Sequence, residues 1–107
     1  MGATKHNIYT KETNHLAAIA KVLAHPARIE ILNYISKQPE CICTDISEEI
    51  GLSQPTTSQH LQVMRRAGIL KGKFEGKSFS YCIDLQELTR FQESLHKFFT
   101  STAAKCC

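Results

Sequence analysis

Apolar residues recur at helical spacing in two successive segments near the N-terminus. Pro26 disfavours helical backbone in the residue before it and suits the first turn of a helix, so it separates one helix from the next. We expect the first helix to have Thr13 or Asn14 as its N-cap and the second to close at 38–40. The apolar positions are Leu16, Ile19, Ala20 and Leu23 in the first helix, and Ile29, Ile31, Leu32 and Ile35 in the second.

Two further helices are predicted in close succession. A short helix over 44–50 is stopped by Gly51, and Ser53 is a good N-cap for a helix over 54–67 that ends at Gly68. Pro55 is tolerated there because its missing N–H would have no intrahelical partner in the first turn. In this fourth helix we expect Leu61 and Met64 to face inward.

The pattern then changes to the period of β-strands. Residues 69–74 and 78–83 are predicted to be two strands joined by 75–77, with Phe79, Tyr81 and Ile83 on one face and Ser80 and Cys82 on the other. A last helix follows Asp84, and its apolar stripe suits packing against a partner subunit. The stripe consists of Leu88, Phe91, Leu95, Phe98 and Phe99.

This order of elements predicts a mainly α fold with a small β-hairpin, namely a winged helix-turn-helix whose last helix packs against a partner subunit. With 107 residues, 42% of them hydrophobic, and no apolar run of membrane-spanning length, the chain is expected to form one domain over 1–107. We expect 1–12 to be a polar arm and 100–107 a flexible, cysteine-containing tail. Without a recognisable targeting signal, a cytoplasmic location with no membrane partner is expected.

Charge is distributed unevenly along the chain. Residues 53–83 hold five Lys and Arg against one Glu, whereas 1–52 hold five against six acids. Because hydroxyl and amide side chains at the start of a recognition helix can meet base edges and phosphates, the sequence predicts binding to double-stranded DNA through the fourth helix and the hairpin. The predicted DNA-binding residues are Ser53, Gln54, Thr56, Thr57, Ser58, Gln59, His60, Arg65, Lys73 and Lys77.

Five cysteines in a chain without an export signal favour metal ligation or redox sensing over a disulfide scaffold. They lie in three places: Cys41 with Cys43, Cys82 alone, and Cys106 with Cys107. A helix N-terminus just after the first pair would favour thiolate over thiol.

From residue 23 to 83 the sequence strongly resembles the ArsR/SmtB family of metal-responsive winged-helix repressors. The resemblance implies a homodimer joined by its first and last helices, which binds an inverted-repeat operator without a cofactor and is released by a ligand. Gln59 stands where many relatives carry Arg or Lys, so base preference is not carried over. The matching residues are Leu23, Ala24, His25, Pro26, Ala27, Arg28, Ile29, Ile31 and Leu32, and Leu52, Ser53, Gln54, Ser58, Gln59, His60, Leu61, Val63, Met64, Arg65, Ala67, Gly68, Ile69 and Leu70.

The pair Cys41 and Cys43 resembles the metal box of the arsenic- and cadmium-sensing members. Thiolates prefer soft ions, so arsenite or antimonite in a trigonal site is the predicted inducer, with cadmium or lead as the alternative. Ile46 occupies the position of the expected third cysteine, so a third ligand must come from elsewhere: Cys106 and Cys107 are the first candidates, and Cys82 ranks behind them. The family's zinc site on the last helix is missing, since its positions hold Asp84, Gln86, Lys97 and Thr100.

Two other functions fit part of this pattern. A thiol redox or persulfide sensor would use the same cysteines to form a covalent sulfur link. A small thiol oxidoreductase would require two residues between its cysteines on a βαβ scaffold, and neither feature is present. We therefore expect a repressor and not an enzyme.

Overall fold

A computed structural model describes residues 8–38 and 41–103, with the backbone alone for 41–43 and 75. Five helices and a three-stranded sheet make up these ranges. In chain order they are α1 (Lys11–Leu23), α2 (Pro26–Ile35), β1 (Cys41–Ile42), α3 (Cys43–Ile50), α4 (Gln54–Arg66), β2 (Leu70–Glu75), β3 (Ser78–Ile83) and α5 (Leu85–Ala103).

Helix α1 begins earlier than the sequence predicted. Its N-cap is Thr10, whose Oγ accepts a hydrogen bond of 3.1 Å from the backbone N–H of Thr13. The predicted N-cap at Thr13 or Asn14 is therefore wrong. The polar arm predicted over 1–12 also extends too far, because Lys11 and Glu12 already belong to the helix. The first turn is polar and carries no apolar period, so only the cap geometry marks its start.

The helix-turn-helix is confirmed at α3 and α4. Gly51 ends the first of these helices with a positive φ of 85°, a conformation that glycine adopts without steric strain. Ser53 caps α4, as predicted, by accepting a bond of 3.3 Å from the N–H of Thr56. Helices α3 and α4 pack directly against each other, and α3 also packs on α2.

The hairpin is confirmed, and a further strand was missed. Strands β2 and β3 pair antiparallel, from Leu70 opposite Ile83 to Glu75 opposite Ser78. On the other edge of β3, the two residues of β1 pair antiparallel, with Cys41 opposite Tyr81 and Ile42 opposite Ser80. A strand of two residues is too short to leave a periodic signal in the sequence.

The core lies where α2, α3 and α4 meet the sheet. Tyr81 is buried, and Phe79 and Ile83 pack against the same cluster, which confirms the predicted inner face of β3. Leu61 and Met64 are fully buried, as predicted. The buried cluster consists of Ile31, Ile35, Ile46, Leu61, Met64, Leu70 and Tyr81.

Helix α5 lies against α1 and forms the second layer of the molecule. Asp84 caps it through Oδ1, which accepts bonds from the backbone N–H groups of Gln86 (3.1 Å) and Glu87 (3.3 Å). The helix runs to Ala103, so the flexible tail predicted from residue 100 begins too early. Within 8–38 and 41–103, no helix combines the length and apolar character needed to cross a membrane.

Candidate DNA-binding surface and thiolate site

The buried and exposed sides of α4 define which residues could reach DNA. Thr56 and Gln59 are exposed, and Ser58 is half-buried. Thr57 is 0% exposed and packs inside the protein, so its prediction as a DNA contact is wrong. Thr57 lies four residues before Leu61, and this i, i+4 spacing places it on the inner face of the helix.

Two of the predicted DNA-binding residues hold the start of α4 in place. Ser53 accepts the capping bond and also donates through its hydroxyl to Thr56 Oγ1 at 3.0 Å. Gln54 is exposed, and its Nε2 donates to Thr44 Oγ1 at 3.1 Å, which ties α4 to α3 across the turn. These contacts pre-orient the first turn of the helix, whose N–H groups and dipole favour a phosphate.

Gln62 is a surface residue that the sequence analysis missed. Its Nε2 donates to Ser58 Oγ at 3.4 Å, and its Oε1 accepts from Arg66 Nη2 at 3.3 Å. The three side chains thus form a polar row at four-residue steps along the outside of α4. The spacing of Gln62 from Ser58 is the signal that could have revealed it.

His60 is half-buried and already has a partner inside the protein. Its Nδ1 accepts a hydrogen bond of 3.0 Å from Arg28 Nε. Burial, followed by the positive charges of Arg28 and His25, lowers the pKa of His60 below its usual value. The structure therefore places His60 at a junction of helices, and its predicted contact with DNA stays a prediction.

The hairpin forms a wing beside the C-terminal half of α4. Arg65, which is exposed, lies over the ring of Phe79, with its Cζ 4.8 Å from the ring centroid, within the range of a cation–π contact. Phe74 meets the same ring edge to face, with the centroids 4.8 Å apart. An added Cβ at Gly72 would lie 2.1 Å from the Phe79 ring, so glycine makes room for this ring. The side chain of Phe79 thus connects α4 to the wing.

Basic side chains are exposed on both the wing and α4. They are Lys71, Lys73 and Lys77 on the wing, and Arg65 and Arg66 on α4. Exposed cations of this kind are available to neutralise phosphates. A groove between the helix and the wing is lined by Gln62, Arg65, Arg66, Phe74, Phe79 and Tyr81.

The backbone of the cysteine pair lies where the sheet meets the helix-turn-helix. Cys41 is in β1 opposite Tyr81, and Cys43 is the first residue of α3. Cys82 is half-buried in β3, and its partner across the other ladder is Lys71. Cys106 and Cys107 lie outside the described residues. Among the side chains that the structure describes, no three His, Cys, Asp or Glu are grouped to hold a metal ion.

Together, the helix-turn-helix, the wing and the basic outer face of α4 define a winged helix-turn-helix DNA-binding regulator. The sequence model of the bacterial regulatory protein arsR family matches residues 25–71, which include α2, α3, α4 and the start of the wing. The chain is 30% identical over 92 residues to the arsenical resistance operon repressor of Staphylococcus xylosus, covering 86% of this chain and 88% of that repressor. The chain therefore belongs to the ArsR family of transcriptional repressors, and it is not an enzyme.

Two other relatives illustrate how far the similarity extends. The transcriptional repressor BigR from Xylella fastidiosa has a crystal structure that matches with a TM-score of 0.65 and 26% identity, over 100% of this chain and 99% of that chain. An uncharacterised HTH-type transcriptional regulator of Mycobacterium tuberculosis is 37% identical over 75 residues, or 67% of this chain. The chain spans 66% of the length of that regulator.

Proposed function

We propose that this protein is a homodimeric repressor of an inverted-repeat operator, released when arsenite or antimonite binds Cys41, Cys43 and a third thiolate. Cadmium or lead is the alternative inducer, and DNA binding itself requires no cofactor. The observation that carries the proposal is the position of the pair at the junction of β1 and α3. An operator-binding protein of this kind belongs in the cytoplasm.

The junction offers a direct mechanical route from the ligand to the DNA-binding surface. Helix α3, which begins at Cys43, packs on α4, and β1, which contains Cys41, is hydrogen-bonded to the wing strand β3. An ion held by both cysteines would fix the strand and the helix relative to each other. Any change at this point would shift the recognition helix, the wing or both, and a coupling of ~1–3 kcal/mol is ordinary for allostery.

Homodimerisation is supported by apolar side chains that are exposed on α5, the helix that lies against α1. On α5, Phe98 and Phe99 are 47% and 58% exposed, and Leu85 is 70% exposed. Large apolar side chains exposed along one helix favour a protein partner over water. A second copy of the chain would also supply the two-fold symmetry that an inverted repeat requires, with recognition helices ~34 Å apart.

The third thiolate is proposed to come from Cys106 or Cys107. Helix α5 ends at Ala103, and the pair follows it within a few residues in the sequence. Cys82 ranks second. It neighbours Tyr81, the register partner of Cys41, but its own place in the ladder is opposite Lys71.

The proposal can be tested by fluorescence anisotropy on an operator obtained by selection from random DNA. The reductant should be a phosphine, because dithiols sequester arsenite. Arsenite or antimonite should release the wild type, and the double variant Cys41→Ser, Cys43→Ser should bind equally well and resist release. Cys82→Ser is the matched control, and it should respond as the wild type does.

Other outcomes would point to a different inducer or ligand set. Release by an oxidant or a persulfide donor, with no response to arsenite, would establish the redox alternative and overturn the metalloid assignment. A stronger response to cadmium or lead than to arsenite would favour the alternative ions. Loss of response in a Cys106→Ser, Cys107→Ser variant would assign the third ligand to the tail, whereas loss in Cys82→Ser would assign it to the wing.

A further inference from the structure

Arg28 connects three helices through two hydrogen bonds. From α2, its Nη1 donates to the carbonyl of Val22 near the end of α1 at 3.0 Å, and its Nε donates to His60 Nδ1 on α4 at 3.0 Å. One guanidinium group therefore contacts both Val22 and His60. The contact joins α1, which belongs to the proposed dimer interface, to α4, the helix proposed to read DNA.

The chemistry of this contact permits one protonation state of His60. A guanidinium group donates hydrogen bonds and cannot accept them, so Nδ1 must keep its lone pair. His60 is then neutral, with its proton on Nε2. Protonation of Nδ1 would remove the acceptor and place a second positive charge beside Arg28.

The surroundings of His60 act against its charged form. The groups that raise the potential at its ring are Arg28 and the ring of His25, the N-cap residue of α2, whose centroid is 6.0 Å away. Burial opposes the charge as well, and together these effects lower the pKa of His60. These surroundings therefore favour the neutral form of His60, which is the form that accepts the bond from Arg28.

We propose that Arg28 is a positioning residue for operator binding, and that it orients α4 through a neutral His60. The inference rests on the proposed role of α4 in reading DNA, but the contact itself can be examined without DNA. When His60 becomes protonated, α4 loses its hydrogen-bonded link through Arg28 to α1 and α2, and the orientation of the recognition helix is held less firmly. Operator affinity then falls as the pH falls.

The direction of the pH effect separates this proposal from a direct contact between His60 and DNA. A protonated histidine touching a phosphate would bind more tightly at acidic pH, since it would add a positive charge to the interface. A positioning contact predicts the reverse. As the pH is lowered at fixed ionic strength from 8 to well below the usual pKa of histidine, we expect operator affinity to fall about fivefold or more, the scale of ordinary coupling between sites.

Asparagine at position 60 provides a matched control. Its Oδ1 can accept the bond from Arg28 near the position of Nδ1, and it does not titrate in this range. His60→Asn should lose most of the pH dependence of operator binding, whatever its operator affinity at pH 8. His25→Asn should retain that dependence, and Arg28→Gln should weaken operator binding at every pH while changing random-DNA binding less.

The ring itself can be observed by nitrogen NMR of the full chain. At pH 8 we expect His60 to show a protonated Nε2 and an unprotonated Nδ1, with or without DNA. The opposite tautomer would overturn the proposal, as would tighter operator binding by the wild type at acidic pH. If no operator is bound under any condition while the tautomer is as expected, the proposed function fails and the Arg28 contact stands.

Discussion

Replacing Thr57 with valine should stabilise the protein, because the threonine hydroxyl is buried without a partner. Thr57 is 0% exposed, and its Oγ1 has no hydrogen-bond partner in the described part of the chain. A buried polar group left unpaired costs ~1–3 kcal/mol, and valine keeps the branched shape and a similar helix propensity. We expect a gain of about 1 kcal/mol, or a rise in Tm of about 4 °C for a domain of this size.

Thr57→Ser is the matched variant, since it keeps the hydroxyl and removes a buried methyl group. It should lower stability by about 1 kcal/mol, so the two variants should move in opposite directions. Thermal and urea unfolding measure both, at one protein concentration because dimerisation shifts apparent stability. Operator affinity should stay within twofold of the wild type in each.

Two results would refute this reasoning. Destabilisation of Thr57→Val by 1 kcal/mol or more would show that the hydroxyl has a partner in the assembled protein. A tenfold loss of operator affinity with unchanged stability would show that Thr57 contacts DNA, as its sequence context first indicated. In that case the helix would have to rotate on binding, because the inner face of α4 now lies in the core.

Further predictions concern the wing and the outer face of α4. Gly72→Ala should destabilise the protein by ~1–3 kcal/mol, because the added Cβ would overlap the Phe79 ring. Urea unfolding should show a smaller loss of stability when the same substitution is made in a Phe79→Ala background. If the loss is the same in both backgrounds, the overlap with Phe79 is not its cause. Arg66→Ala should weaken operator and random DNA alike and reduce the slope of log affinity against log salt by about 1, as measured by anisotropy. Lys37→Ala removes the same charge outside the proposed surface, and an equal change in its slope would show that only net charge matters.

Most of the fold could be predicted because its elements are marked by local signals. Ser53 and Gly51 determine where the helices of the helix-turn-helix begin and end, and the spacing of Leu61 and Met64 identifies the inner face of α4. Capping and periodicity depend on neighbours within a few residues, so a single sequence contains them. The N-cap of α1 at Thr10 was missed because the polar first turn of this helix has no apolar period.

The DNA-binding surface was predicted less completely than the fold. The basic residues, Thr56 and Gln59 are exposed and stay predicted DNA contacts, whereas Thr57 was assigned to the wrong face and the exposed Gln62 was missed. Composition alone does not distinguish the exposed hydroxyl and amide side chains near a helix start from the buried ones. Which of them faces DNA depends on the direction in which the whole helix packs, and the buried positions of α4 determine that direction.

The sequence by itself determined the helix-turn-helix, the wing, the uneven charge and the presence of a close cysteine pair, since each is a property of neighbouring residues. The tertiary structure decided what these parts contact. It placed Cys41 on a strand paired with the wing, buried Thr57, and brought Arg28 to His60 across 32 positions of the chain. Such contacts arise when separate elements pack together, and the spacing of residues along one element does not contain them.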